Sequence, residues 1–456
     1  MRLLFPCGAD EVTLEAPGGA VVWRQSYPEP GAPAAELVRR ALAEPIGASP
    51  LREALKQRSN GPVAVVVSDV TRPIPYAGFL GAVLDEVQAA GVSSGDVVII
   101  VATGMHRPST PAERIAILGG PVASRFRVVD HKAEDGSTLE EIPGKSRAGA
   151  RVRLCREFVR AGFRIVTGLV EPHFMAGFSG GRKAVCPGLS SLETVRRFHG
   201  PEFLADPLAA NGIVEGNPLH EEALSVARMA GVDFSLNVVL DSSRRVVRAF
   251  AGDLEAAHDA ACRFVRGAAC PRVERPADVV VTSCGGSPLD ATFYQCVKGL
   301  VSCLPAVRPG GTIIALAGCS EGVGSGEYSG LMRKYSGAWR RFLDDIRRPG
   351  FFVKDQWQFQ MHCRALEKVG EEKIVFITPG LGPEELRTLS VSGVHAPGGP
   401  SAVARAVNEA VDRARRAGAR TVAAIPDGPY CAPMEAEGVE KPSTDGDNPE
   451  RGRTLA

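Results

Sequence analysis

No apolar run in this 456-residue chain reaches the roughly 18–20 residues that a membrane-spanning helix requires. The amino-terminal stretch MRLLFPCGADEV has too short an apolar segment for a secretory signal, so a cytoplasmic location is expected. CxxC pairs are missing. The 11 cysteines are odd in number and scattered, which argues against a disulfide framework and against a zinc ribbon. They read as small buried hydrophobes. Neither sign of charge is in excess: 53 Lys+Arg stand against 52 Asp+Glu, a net of +1. That balance gives no nucleic-acid or anionic-membrane footprint. HExxH spacing and clustered carboxylates, which a metal-dependent hydrolase would need, are absent.

What is present is ordinary in amount and ordered in arrangement. Hydrophobic residues make up 44% and charged residues 23%, as in a soluble globular protein, and the length allows two to three domains. Continuous apolar runs bounded by turn residues read as buried parallel strands at 62–68, 96–101 and 163–170. Helices are expected at 34–43, 49–57, 76–90 and 110–118, and a strand pair at 234–240 and 244–252. A linker at 267–276 follows, after which the strand–loop–helix rhythm restarts with strands at 277–283, 312–317, 373–378 and 421–425. The expectation is an α/β protein: two α/β domains with mainly parallel, doubly wound sheets and an active-site cleft between them. Residues 1–270 form the first domain, 271–435 the second, and 436–456 a disordered tail. Residues 1–25 read as a small β-element, and the charged stretch 131–141 as a surface excursion.

Polar motifs stand where ligands gather in such sheets, at the carboxyl ends of the strands. Asp69-Val70-Thr71-Arg72 follows one strand, Thr103-Gly104-Met105-His106 the next, and Glu171-Pro172-His173 the third. From residue 177 the chain reads GFSGGRKAVCPGLSSLETVRRFHG. Gly180 and Gly181 allow a sharp turn whose amides can cradle phosphate. Arg182 adds a planar fork for the same anion, and Lys183 becomes a nucleophile if its pKa is lowered. Ser190 with Glu193 reads as a capping box for a helix over 192–198 that ends at His199. Each feature has a plainer reading: a Gly-Gly turn is often only a turn, His199 suits a helix dipole, and Ala184 after Lys183 breaks the Walker A pattern. Their concentration in 30 residues points to a charged cofactor and a metal.

The motifs E-P-H at 171–173, G-G-R-K at 180–183, P-G at 187–188 and R-F-H-G at 197–200 resemble the nickel-dependent lactate racemase family. S-D-V-T-R-P at 68–73, A-T-G-M-H-R-P at 102–108 and Y-Q-C-V-K-G at 294–299 are similar to motifs of the same family. The resemblance implies nickel held in a nickel-pincer nucleotide (pyridinium-3-thioamide-5-thiocarboxylic acid mononucleotide). It makes Lys183 the covalent cofactor lysine, His199 the nickel ligand, and His106 and His173 the acid/base pair. Arg72 and Lys298 would hold the substrate carboxylate. Asp69, Gly180, Gly181, Arg182, Tyr294, Gln295 and Trp357 would line the cofactor. Cofactor-synthesis proteins are implied as loading partners.

The implied reaction is racemisation or epimerisation of a lactate-like 2-hydroxy acid by proton-coupled hydride transfer through a 2-oxo acid. A pyridinium serves as electron sink, because a carbanion beside a carboxylate is hard to form. Histidine suits both proton-transfer positions, since its pKa lies near neutrality. The same chemistry on a larger, dicarboxylic or sugar 2-hydroxy acid is the alternative. A non-enzymatic phosphate- or nucleotide-binding protein is the alternative of another class.

Overall fold

The computed structural model describes residues 1–16, 19–72 and 74–436. The expected tail therefore lies, from residue 437 onward, outside the described residues. Two six-stranded sheets organise the chain. The first runs, edge to edge, Val246–Gly252, Phe234–Leu240, Phe163–Leu169, Val63–Ser68, Val97–Ala102 and Arg127–Asp130. All its pairings are parallel except the first, a hairpin. The second runs Ser392–His395, Ile374–Thr378, Val307–Leu316, Ala277–Ser283, Val422–Ile425 and Val21–Val22, and is parallel throughout.

The strands form where β-branched residues run without interruption. Val63 to Val67 and Val97 to Val101 are buried on both faces, and such runs suit the centre of a parallel sheet covered on both sides. Each sheet reverses direction once. In the first, the chain builds outward from Val63–Ser68 through Val97–Ala102 and then returns to lay Phe163–Leu169 on the other side. The crevice at such a switch point is where open sheets bind ligands. One large apolar cluster contains residues of both sheets, from Val66 and Ile100 to Ile313 and Phe376, so the two lobes share part of their core.

Several elements fall where the sequence did not put them. The hairpin Arg2–Cys7 with Asp10–Glu15 lays Leu3, Phe5, Val12 and Leu14 against Val279, Val281 and Ile314 of the second sheet. Val21–Val22 then joins that sheet as its edge strand. The hairpin and Val21–Val22 thus pack with the second lobe, not with the rest of the 1–270 block, because the hairpin's alternating apolar face is what covers that sheet. The helix Leu254–Ala269 runs into the expected linker. The charged stretch is no pure surface excursion: His131 is 1% exposed, with its Nε2 2.9 Å from the Ser190 carbonyl. Helix Leu192–Phe198 forms as expected, but its cap is Ser191, which accepts from the Thr194 amide. The Ser190 hydroxyl is spent on the Val185 carbonyl. All eleven cysteines are buried and free. Among the described residues no helix is long and apolar enough to cross a membrane.

Helix Gln356–Val369 of the second lobe reaches onto the first. Arg364 donates to the carbonyls of Leu204, Asp206 and Ala209, and Gln360 to that of Pro201. Between them His362 is completely buried, with neither ring nitrogen partnered among the described residues, and packed beside Phe293 and Phe359. Burial lowers its pKa from 6.5 to about 3. A depressed folded-state pKa stabilises the fold above the unfolded value, and that contribution is lost as pH falls. Replacing His362 with Leu should make the acid limb of a stability–pH profile shallower by up to one proton, about 1.4 kcal/mol per pH unit. Urea titrations between pH 6.5 and 4 would check this; an unchanged slope refutes it.

Candidate active site

The crevice at the first sheet's switch point gathers charge. Asp69, 6% exposed, follows strand Val63–Ser68. Its Oδ2 lies 2.7 Å from His106 Nδ1, and its Oδ1 accepts from the Thr71 hydroxyl at 2.7 Å. Burial by itself would raise this carboxyl. The His106 hydrogen bond and charge, with Thr71 and Arg72, outweigh it and hold the group below its usual range. A carboxylate only accepts, so His106 donates from Nδ1 and keeps its Nε2 lone pair free. His106 comes from the loop after Val97–Ala102 and is half-exposed. Arg72 NH1 lies 3.5 Å from Glu171 Oε1, which joins the first strand end to the third.

His173 carries the opposite tautomer. Its Nδ1 accepts the backbone amides of Met175 at 3.3 Å and Ala176 at 3.2 Å, so in the neutral ring the proton sits on Nε2. Burial first, then the charges of Lys183, Arg72 and Lys298, pushes its pKa well below 6.5. The two histidines enter any reaction in complementary states, one with a free lone pair and one with an N–H.

Lys183 lies in the short helical turn Gly181–Ala184, its Nζ 5.0 Å from the centre of the Phe198 ring. Burial, then Arg182 and Arg72, lowers its pKa well below 10.5, and among the described residues no carboxylate pairs with it. The His199 ring stacks on Trp357 at 4.8 Å and meets Phe198 edge-on at 4.6 Å. Its Nδ1 is buried without a partner. Burial and then Lys183 bring its pKa down to about 3, which keeps the imidazole neutral. Trp357 donates to the Tyr294 hydroxyl at 3.0 Å, so a stack that begins in the first lobe ends on the second lobe's helix Phe293–Ser302. Lys298 on that helix is lowered to about 7, by burial and then Arg72, against the opposing pull of Glu171 and Asp69. Gln295 Oε1 is buried and unpartnered.

Arg182 differs from expectation. It is 1% exposed and donates to the carbonyls of Ala176 at 2.8 Å and Phe178 at 3.0 Å, with NH1 2.8 Å from His258 Nε2. Its fork ties the loop to itself and is not free for a phosphate. Gly180 and Gly181 have φ of +75° and +51°. The Gly181 amide is taken by Asn237 Oδ1 at 2.9 Å. A Cβ on Gly180 would lie 2.7 Å from Val170, and one on Gly181 2.7 Å from His258. These glycines serve close packing of the loop. Asn237 and His258 were not singled out from the sequence, and Glu171 stood in a strand-end motif without a role of its own. A polar Asn inside the apolar strand FSLNVVL was the available signal for one of them.

Among the described residues no three His, Cys, Asp or Glu side chains are placed to hold a metal together. A metal at His199 would need its other donors from a non-protein group. A neutral imidazole with an orphaned nitrogen, beside a half-buried amine whose pKa is lowered well below its usual value, fits a lysine-linked, metal-carrying group.

Family models describe the chain in two parts: the lactate racemase N-terminal domain matches residues 8–212, and the lactate racemase C-terminal domain matches residues 273–430. The lactate racemase of Thermoanaerobacterium thermosaccharolyticum is 36% identical over 356 residues, 78% of this chain and 82% of that protein. That of Lactiplantibacillus plantarum is 33% identical over 399 residues, 86% of this chain and 89% of that protein. The solved lactate racemase apoprotein from T. thermosaccharolyticum superposes with a TM-score of 0.83 at 30% identity, covering 96% of this chain and all of that one. A Thermotoga maritima protein of 16% identity and TM-score 0.62, covering 85% and 97%, shares the fold. Both domain models, both relatives and the apoprotein agree: the chain belongs to the lactate racemase family and is an isomerase.

Proposed function

We propose that this chain interconverts the two hands of a lactate-like 2-hydroxy acid, using a nickel-pincer nucleotide attached at Lys183 with His199 as the protein's nickel ligand. The observation that carries the reading is Lys183 itself: a half-buried amine with no carboxylate partner among the described residues, set beside a neutral, orphaned imidazole. When bound, the cofactor supplies an electron sink for the hydride on the substrate's chiral carbon. The names of the curated relatives support lactate as the substrate type. In this reading the protein works in the cytoplasm and depends on the proteins that make and load the cofactor.

The remaining work falls to side chains. Arg72 and Lys298 orient the substrate carboxylate. Glu171 holds Arg72 only at 3.5 Å, long enough to yield to an incoming anion, and the same anion favours the charged form of Lys298. His106 takes the hydroxyl proton at Nε2 while Asp69 fixes its ring and steadies the imidazolium. His173 presents its Nε2–H to the substrate oxygen from the other lining of the crevice. Trp357 and Phe198 keep water from His199 and hold its ring flat.

Three outcomes follow. In protein produced together with the cofactor-synthesis machinery, Lys183→Ala should lose the covalent adduct in intact mass spectra; an adduct of unchanged mass removes the lysine from this role. His199→Ala should keep the adduct but lose bound nickel by elemental analysis, and full nickel retention would count against the imidazole. Asp69→Asn should lower kcat by about 10²-fold, the lower range for general acid–base loss, with the adduct and nickel content unchanged. A kcat within twofold of the parent would show that Asp69 does not position His106.

A further inference from the structure

The helix that carries Trp357 begins on a residue whose backbone few side chains tolerate. Asp355 has φ of +68°, in the left-handed region that glycine, asparagine and aspartate enter more readily than other residues. It stands at the N-cap of helix Gln356–Val369, yet its side chain caps nothing there. A carboxylate in this position usually takes the free amides of the first turn. The Asp355 carboxylate is spent elsewhere: its Oδ2 accepts from the Ser325 hydroxyl at 2.7 Å. Ser325 in turn caps the helix Gly326–Lys334 by accepting the Tyr328 amide, and the Tyr328 ring meets the Tyr294 ring edge-on at 5.1 Å. Backbone outliers of this kind gather at functional sites.

What Asp355 acts on is Tyr294. Trp357 Nε1 donates to the Tyr294 oxygen at 3.0 Å, and an indole nitrogen accepts nothing in return. Burial, then the Asp355 charge, raises the Tyr294 phenol above its usual range, so the hydroxyl keeps its own proton and needs an acceptor for it. The Asp355 carboxylate is hydrogen-bonded to that hydroxyl and can only accept. The rest of Tyr294 is already fixed. Its amide donates to the Val323 carbonyl at 2.9 Å, and the Gln358 side chain donates to its carbonyl. A Cβ on Gly324 would come within 2.9 Å of the Tyr294 Cβ. Only the direction of the hydroxyl is left to be set.

We propose that Asp355 is a positioning residue for the His199 site. It holds the Tyr294 hydroxyl with its proton turned away from Trp357, so that the oxygen receives the indole N–H. The Trp357 ring is thereby kept 4.8 Å from the His199 imidazole and at 21° to it. The relay runs from Ser325 through Asp355, Tyr294 and Trp357 to a ring of the other lobe. Its last step rests on the reading of His199 as the nickel ligand: partners outside the ligand set orient the group that touches the metal.

The test reads the indole directly. The chain has three tryptophans, so a proton–nitrogen correlation spectrum of the full chain without cofactor carries three indole signals, and Trp357→Phe identifies the one from Trp357. In Asp355→Gly, which the positive φ suits, that signal should move upfield. Its proton should exchange with solvent up to about tenfold faster, as one weakened hydrogen bond requires. Asp355→Asn keeps a neutral acceptor; it should shift the signal the same way by less, and it stands in if the glycine variant does not fold. Tyr294→Phe should reproduce the change, and adding Asp355→Gly to it should change nothing further. In cofactor-loaded protein Asp355→Gly should lower kcat about tenfold with KM within twofold of the parent, the lower range for loss of an outer partner, and the Lys183 adduct should stay at full mass. An indole signal unmoved in both Asp355 variants, a further change in the double variant, or a parental kcat would each overturn the proposal. Nickel retained in His199→Ala would sink the ligand assignment alone; the indole signal, read without cofactor, would still decide the relay.

Discussion

The structure depends on half-buried cations set close together with, among the described residues, too few carboxylates to answer them. Arg72, Lys183 and Lys298 bear on one crevice, and each depresses the proton affinity of His173. Asp69 is committed to His106 and Thr71, and among the described residues the Glu171 carboxylate reaches only Arg72. Charges arranged this way are costly unless something completes them. The ways to complete them match the assigned chemistry. Lys183 can lose its charge by forming a covalent bond, and Arg72 with Lys298 can take a carboxylate. Burial, joined by the same positive charge, lowers the proton affinity of His173 and His199, and a neutral imidazole can ligate a metal or exchange a proton.

Holding such a site open requires a stiff frame, and both lobes contribute to it. His173 and Lys183 come from a loop that Arg182 laces together from behind. The His199 ring comes from the first lobe, and Trp357, which stacks on it, from the second. The helix that carries Trp357 also clamps the segment after His199 through Gln360 and Arg364. Misplacing one lobe would therefore disturb the metal ligand as well as the substrate-binding lysine. Preorganisation of this kind lets a bound group react without first ordering its surroundings.

Much of this was legible in the chain. Uninterrupted Val and Ile runs ending in polar motifs announce parallel strands that deliver residues to one crevice, and Asp69, His106 and His173 stand at those strand ends. Helix 192–198 and its terminal His199 are also read correctly, because capping and turn residues act over a few positions. Ser191 in place of Ser190 is a slip of one position. Two adjacent serines offer the same local signal, and only the backbone bridge between Leu154 and Ser190, with the Ser190 hydroxyl taken by the Val185 carbonyl, decides between them.

The sequence by itself determined the element types, the doubly wound architecture and the family motifs, since those rest on local periodicity and residue chemistry. Only the tertiary structure decided where long side chains point and which segment joins which sheet. Arg182 reads as a phosphate fork beside Lys183, yet folds back onto its own loop, because adjacent residues in a tight turn face opposite ways and the nearest carbonyls outcompete a distant anion. The hairpin Arg2–Glu15 and the strand Val21–Val22 pack with a sheet whose other strands begin at residue 277. No local pattern encodes a partner so far along the chain; the match between two apolar faces is settled only when both exist.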